Sequence, residues 1–109
     1  MKLLLTLLVT LGISMGSYGS NVTGNNLLEY CNEDERSVCF AYLLAVIDTH
    51  NNMESEGVID NYFCPPKGVV FNQIAEIIVK HMKERPQQLH FSGSYLTLNA
   101  LIDAFPCED

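Results

Sequence analysis

The four cysteines of this 109-residue chain are its side chains best suited to covalent chemistry. They are Cys31, Cys39, Cys64 and Cys107. A catalytic cysteine needs a free, activated thiol with a histidine nearby, whereas an even number of cysteines in an exported chain is typical of disulfides. Structural zinc sites use close pairs such as C-x2-C, and these spacings are wide and irregular. We therefore predict two disulfides, no metal site and no catalytic thiol.

The three histidines are the remaining candidates for acid–base chemistry, and they are His50, His81 and His90. His81 falls within an apolar helical stripe, where a hydrogen-bonded core histidine is more common than a general base. No two histidines have the spacing of metal ligands, and the sequence contains neither a serine-nucleophile elbow nor a phosphate-binding loop. These residues do not support an enzyme, and we expect no cofactor.

One stretch, Ser37 to His50, has the length and composition of a helix that is apolar on nearly every side. This pattern predicts the central helix of a small bundle. Tyr42 and Asp48 share one face of it with Cys39 and Ala45, because the four recur at every third position. For Asp48 we favour a structural role, as an acceptor of hydrogen bonds from a neighbouring turn or from the side of the bundle where Tyr42 lies. The alternative is a partner contact at the exposed end of the helix.

Three further helices are predicted around this one. A short helix follows Asn26, which can cap it, a third helix spans Val69 to Arg85, and a fourth begins after Ser92 or Ser94. The predicted core stripe of the third helix consists of Ile74, Ile77, Ile78, His81 and Met82. That of the fourth helix consists of Tyr95, Leu98, Leu101, Ile102 and Phe105. The predicted fold is all-α, a small disulfide-linked bundle of about four helices.

Polar and proline-containing segments separate the predicted helices. The central helix is expected to end around residues 50–52, and an acidic loop follows from Met53 to Tyr62. Pro65, together with Pro66, is expected to hold the next segment in a fixed extended turn. Pro86 is expected to stop the third helix.

The order of the helices favours one of the three possible pairings of four cysteines. If the three longer helices alternate in direction, Cys64 and Cys107 lie at one end of the bundle, and Cys31 and Cys39 lie at the other. The favoured disulfides are therefore Cys31–Cys39 and Cys64–Cys107. The other pairings remain open, because a different helix order would bring Cys39 near Cys107.

The first 19 residues have the organisation of a secretory signal peptide. A lysine precedes an apolar run from Leu3 to Ile13, and small residues lead to a cleavage predicted after Gly19, with Gly16 and Ser20 as alternatives. The run is shorter than the roughly 20 residues that span a bilayer. We expect residues 1–19 to be removed and residues 20–109 to form one exported helical domain.

The exported domain is strongly acidic. Removal of Lys2 changes the formal net charge from −7 to −8 and leaves five of the six Lys and Arg residues against thirteen Asp and Glu residues. An acidic surface repels nucleic acid and anionic lipid and suits a basic protein partner. We therefore expect neither nucleic acid nor a membrane as a partner of this domain.

Motifs along the exported domain resemble those of one known family. They are Leu27-Leu28-Glu29-Tyr30-Cys31; Cys39-x2-Tyr42-x2-Ala45-x2-Asp48; Phe63-Cys64-Pro65 with Gly68-Val69 and Gln73; Pro86 with Leu89-His90; and Ala100-Leu101 with Phe105-Pro106-Cys107. On these residues the chain resembles the Rap/Tai family of type VI secretion immunity proteins. The resemblance covers essentially the whole exported domain.

This resemblance implies a small all-helical periplasmic protein, often a homodimer, that binds and blocks a secreted peptidoglycan amidase. Such an effector is a cysteine hydrolase that cuts peptide crosslinks, and the inhibitor itself is expected not to be an enzyme. We expect either the segment Asn51–Tyr62 or the linker Pro86–Phe91 to contact the cleft of the effector. The candidate contact residues are Asn52, Glu54, Glu56, Asp60, Gln88 and His90.

Two other functions fit a small exported helical protein. A periplasmic acid-stress chaperone would open at low pH, where neutral carboxylates leave a positive net charge that strains the bundle. Prevention of client aggregation at low pH would identify it, although two disulfides argue against easy opening. A helical carrier of a lipid or small ligand would need an internal cavity.

Overall fold

Four α-helices make up most of the described part of the chain, which comprises residues 21–32, 34 and 36–108 of a computed structural model. They are α1 (Gly24–Tyr30), α2 (Arg36–Ser55), α3 (Phe71–Lys83) and α4 (Gly93–Ala104), with a short 3₁₀ helix at Pro86–Gln88. These residues form no β-strand, so the all-α prediction is confirmed. None of the helices in these ranges is both long and apolar enough to cross a membrane. The predicted signal peptide lies outside the described residues.

Helix α1 begins at Gly24, earlier than the sequence predicts. Its cap is Thr23, whose hydroxyl accepts a hydrogen bond from the backbone N–H of Asn26, while the Asn26 side chain accepts one from the N–H of Thr23. The amides of Gly24 and Asn25 donate to carbonyl groups in the linker before α4. The prediction of Asn26 as the cap is wrong, because Asn26 is the third helical residue of this capping box.

The C-terminal end of α2 lies further along the chain than predicted. The helix continues to Ser55, so the first residues of the predicted acidic loop are helical. It ends before Gly57, which adopts a φ of 76° and lets the amides of Gly57 and Val58 donate to carbonyl groups of the last turn. The asparagines at positions 51 and 52 lower the helix propensity only slightly, and Gly57 is the residue that ends the helix.

Helix α2 lies at the outside of the bundle rather than at its centre. Its three buried residues are Cys39, Leu43 and His50. Val38 and Leu44 are about half exposed. The prediction of a central helix is therefore wrong, because an apolar composition on every side permits burial without enforcing it.

Helix α4 contributes more buried residues than any other helix and contacts α1, α2 and α3. Its buried residues are Gly93, Leu96, Thr97, Ala100 and Leu101. Thr97 is compatible with the core because its hydroxyl donates to the carbonyl of Gly93 at 2.7 Å. The hydroxyl of Ser92 accepts from the amide of Tyr95 at 3.2 Å, which confirms Ser92 as the cap of this helix.

The face of α4 that enters the core is not the predicted one. Of the predicted stripe only Leu101 is buried, whereas Tyr95 and Ile102 are 53% and 36% exposed. Because α4 is apolar around most of its circumference, two of its faces could fit the core. Gly93 decides between them, since a Cβ at this position would lie 3.0 Å from the Tyr42 hydroxyl and 3.2 Å from Leu27. The glycine face is therefore the one that other elements can approach closely.

Helix α3 follows its predicted pattern, although it is shorter at both ends. Its buried residues are Ala75, Ile78 and Met82. The other members of the predicted stripe are partly buried. Pro86 stops this helix as predicted and begins the 3₁₀ helix instead.

Both favoured disulfides are present, Cys31–Cys39 and Cys64–Cys107. The first joins the segment after α1 to the beginning of α2. The second fixes the chain at Cys64-Pro65 to the C-terminal segment, where the amide of Cys64 also donates to the carbonyl of Phe105. As predicted, the two prolines hold a segment without helix before α3.

Candidate functional site

His81 is a hydrogen-bonded histidine between two helices, as predicted. Its side chain is 10% exposed, and its Nε2 atom lies 3.0 Å from Oδ2 of Asp103. Arg85 approaches the same carboxylate at 3.8 Å and donates to the carbonyl of His81. The three residues therefore connect the ends of α3 and α4, a structural arrangement rather than a catalytic one.

The other two histidines also lack a catalytic partner in the described residues. His50 is buried, with its ring centroid 4.4 Å from that of Phe63 and its Nδ1 atom 3.2 Å from Oδ1 of Asn51. His90 is exposed beside Phe91. All four cysteines are in disulfides, so no histidine here can activate a thiol. Nor do the described residues contain a cluster of three His, Cys, Asp or Glu side chains that could hold a metal ion.

Tyr42 and Asp48 differ in their surroundings. Tyr42 is partly buried against α4, where its hydroxyl approaches Gly93. Asp48 is exposed, and its carboxylate makes no hydrogen bond or ion pair with any residue in the described ranges. Within the described residues no amide of a neighbouring turn donates to Asp48, so its predicted structural role stays a prediction. A partner contact is the interpretation that its position allows.

We expect Asp103→Ala to lower the free energy of unfolding by about 1 kcal/mol, because it removes the partner of a nearly buried imidazole nitrogen. Asp48→Ala is the matched control, since it removes an exposed carboxylate without a partner, and its effect should stay within about 0.5 kcal/mol. Urea denaturation of the two variants measures both changes. Equal losses would show that the contact between His81 and Asp103 does not stabilise the fold.

The first predicted contact segment, Asn51–Tyr62, is partly helix and partly irregular chain. Its predicted contact residues are Asn52, Glu54, Glu56 and Asp60. The first two lie in the last turn of α2 and the others lie beyond it, and all are exposed except Glu54, which is partly buried. Val58 is 66% exposed, and Tyr62 is also exposed. This segment therefore presents carboxylates and apolar side chains together.

The second predicted contact segment, Pro86–Phe91, is fixed against the beginning of α1. The carbonyls of Leu89 and Phe91 accept hydrogen bonds of 3.0 and 2.9 Å from the first amides of that helix. Gln88 is partly buried, whereas His90 is exposed. The ring of Phe91 packs edge-on against Tyr95 at 5.6 Å. This linker offers an aromatic surface rather than a charged one.

A groove between α2 and α4 is a surface that the sequence does not predict. Its volume is about 480 Å³. We name it the α2–α4 groove, and its apolar and aromatic lining includes Tyr42, Val46, Met53, Ile59, Tyr62 and Leu98. The apolar circumference of α4 is the signal that could have found it, because a second apolar face remains once the first enters the core.

A second groove, of about 580 Å³, lies beside the Cys31–Cys39 disulfide and carries many more charges. Its charged lining residues are Arg36, Glu76, Lys80, Lys83 and Glu84. Three of the five Lys and Arg residues of the described chain are thus gathered here, and none of the five lines the α2–α4 groove. Most of the positive charges of the described chain therefore line a different groove from the α2–α4 groove.

The fold and these surfaces define a small, disulfide-linked helical protein whose exposed features suit the binding of another protein. The family model described as Rap1a immunity proteins matches residues 23–107. The chain belongs to this immunity protein family, which confirms the resemblance seen in its motifs. Neither a curated protein nor a solved structure matches the chain.

Proposed function

We propose that this protein is exported to the periplasm, where it binds and inhibits a cognate peptidoglycan amidase delivered by a type VI secretion system. The observation that carries this proposal is the family match over residues 23–107, since an immunity protein acts against a secreted effector. An amidase effector attacks the cell wall, so its inhibitor must act in the same compartment.

Export is supported by two independent features. Residues 1–19 have the pattern of a cleavable signal peptide. All four cysteines are paired in disulfides, which persist in oxidising compartments such as the periplasm. The resemblance also implies a homodimer, and sedimentation velocity of the protein without its signal peptide would test this.

The segment Asn51–Tyr62 is the better candidate for the effector contact. It combines exposed carboxylates with the exposed side chains of Val58 and Tyr62, whereas the linker Pro86–Phe91 carries no carboxylate. Carboxylates steer a basic enzyme towards the inhibitor, and aromatic anchors supply most of the affinity once they are buried.

A capture experiment tests the proposed function. The protein without residues 1–19 and with its disulfides intact is incubated with periplasmic and secreted fractions of its source bacterium, and the captured proteins are identified by mass and assayed on peptidoglycan. Capture of one amidase whose activity then disappears is the expected result. Capture of many unrelated proteins, and only after exposure to acid, would overturn the proposal in favour of a chaperone.

We expect the triple variant Glu54→Lys, Glu56→Lys, Asp60→Lys to bind the captured amidase at least about tenfold more slowly, because it reverses the charge of the contact segment. The matched control is Glu29→Lys, Glu76→Lys, Glu108→Lys, which changes the net charge equally at exposed positions elsewhere. Stopped-flow association at low and moderate salt measures both. Equal rates for the two variants would dismiss this segment as the contact.

A further inference from the structure

The α2–α4 groove is an open apolar surface that the core of this chain does not use. We propose that it binds an apolar side chain of the effector, carried on a segment with Lys or Arg residues on both sides of that side chain. This inference rests on the proposed function, because the effector supplies the segment.

The size and lining of the groove suit a protein side chain with its neighbours. Its volume of about 480 Å³ falls in the range of ligand sites, roughly 300 to 1,000 Å³. Val46 and Leu98 form apolar walls, and Met53 can adjust its shape to the occupant. Tyr42 and Tyr62 add aromatic surface with hydroxyl groups that can bond to a peptide backbone.

The wall formed by Ile59 and Tyr62 is anchored before any partner binds. The next residue, Phe63, is 5% exposed and packs on His50, and Cys64 is joined to Cys107. The opposite wall belongs to α4, whose other face lies in the core. A groove with fixed walls costs little ordering entropy when it binds, so its apolar area contributes more fully to affinity.

Acidic residues follow several of the lining residues along the chain, although no carboxylate of the described residues lines the groove itself. At 100° per residue, Asp48 lies about 60° beyond Ala45 and Glu54 about 40° beyond His50, on opposite sides of the groove face of α2. Asp60 directly follows Ile59 of the loop wall. No Asp, Glu, Lys or Arg of the described residues lines the groove, and the charged residues nearest to its lining along the chain are these carboxylates. A complementary segment therefore carries basic residues beside its apolar anchor.

The same charges disfavour a second copy of this chain in the groove. A two-fold contact places the same surface of both copies in one interface, so the carboxylates of Asp48, Glu54 and Asp60 would be gathered there twice. Like charges placed together across an interface cost free energy, whereas a basic segment neutralises them. The effector segment is therefore the occupant that the charges favour.

Filling the groove tests the proposal. Ala45 is exposed and lines the groove on α2, so Ala45→Phe blocks it without disturbing the core. Ala41→Phe is the matched control, because Ala41 is exposed one turn earlier on α2 and does not line the groove. Thermal unfolding followed by circular dichroism confirms that both variants fold. Ala45→Phe should need a concentration at least about 30-fold higher than the original protein to inhibit the captured amidase, which is the loss expected for a blocked anchor. Ala41→Phe should inhibit at the same concentration as the original protein.

The outcomes separate this inference from the proposed function. If the original protein inhibits the amidase and Ala45→Phe inhibits equally well, the groove assignment is overturned and the proposed function stands. A further outcome is that sedimentation shows the original protein to be a dimer and Ala45→Phe a monomer, with inhibition unchanged. A second copy then occupies the groove, and the inference is also overturned.

A second measurement does not depend on the effector. A random peptide library displayed on phage is selected on the original protein and counter-selected on Ala45→Phe. Enrichment of peptides with an apolar residue between Lys or Arg residues supports the binding preference assigned to the groove, whether or not an amidase is captured. Enrichment of acidic peptides, or no enrichment relative to Ala45→Phe, overturns it.

Discussion

Replacing Cys64 and Cys107 together by alanine is expected to lower the free energy of unfolding by about 4 kcal/mol. The bond joins residues that are 43 positions apart, and loop-closure entropy gives this value for a closure of that length. Both cysteines are exposed, so the substitutions remove the cross-link and little packing. The loss is a large share of the stability of a small domain, which is about 5–15 kcal/mol.

The shorter disulfide provides the comparison. Cys31→Ala breaks a bond between residues 8 positions apart and is expected to cost about 2.5 kcal/mol, while Cys39 stays in the core as a buried thiol. Urea denaturation of the oxidised protein and of the two variants gives the three free energies. A smaller loss for the Cys64 and Cys107 variant than for Cys31→Ala would show that native packing, rather than loop length, sets the contribution of these bonds.

The position of the longer disulfide also connects stability to the candidate site. Cys64 follows Phe63, which packs on the buried His50 and directly follows Tyr62 of the loop wall of the α2–α4 groove. Loss of the disulfide frees this wall together with the C-terminal segment. Under the proposed function, inhibition of the amidase by the double variant should therefore fall even at temperatures where its helices remain folded, because an ordered groove binds with a smaller entropic cost.

Signals confined to a few residues were sufficient to predict much of this fold. An even number of cysteines behind a predicted signal peptide indicated two disulfides, and Ser92 and Pro86 marked a helix start and a helix end. The period of α3 placed Ile78 and Met82 in the core, and the same stripe placed His81 where it needed a hydrogen-bonding partner. Each of these inferences depends on local chemistry or on a clearly amphipathic helix.

The missed features depend on how the helices meet. Helices α2 and α4 are apolar on several sides, so their sequences do not say which face is buried. Gly93 settles this for α4, but only through its contact with Tyr42 on another helix. The α2–α4 groove was missed for the same reason, since Leu98 was assigned to the core stripe of α4. The exposure of Asp48 was not predictable either, because it depends on the outer position of α2.

Leu96→Ala is expected to lower the free energy of unfolding by about 3 kcal/mol, since it opens a cavity where α4 meets α1. Leu96 is 1% exposed, and its Cδ1 atom would lie 2.5 Å from a Cβ placed on Gly24. Leu44→Ala is the matched control, because Leu44 is 49% exposed and its truncation removes far less buried area, so its cost should stay below about 1 kcal/mol. Urea denaturation measures both, and equal costs would contradict the placement of Leu96 in the core.

Gly24→Ala tests how closely α1 approaches α4 at the contact between Gly24 and Leu96. Alone it should destabilise the protein, because its methyl group meets Leu96 and lies 3.1 Å from the Cα atom of Leu89. In the Leu96→Ala background that methyl group enters the vacated space, so the double variant should be more stable than the sum of the two losses by about 1 kcal/mol. Additive losses would mean that α1 shifts away from α4 in each single variant, and the close approach of the two helices at Gly24 would then contribute nothing to the fold.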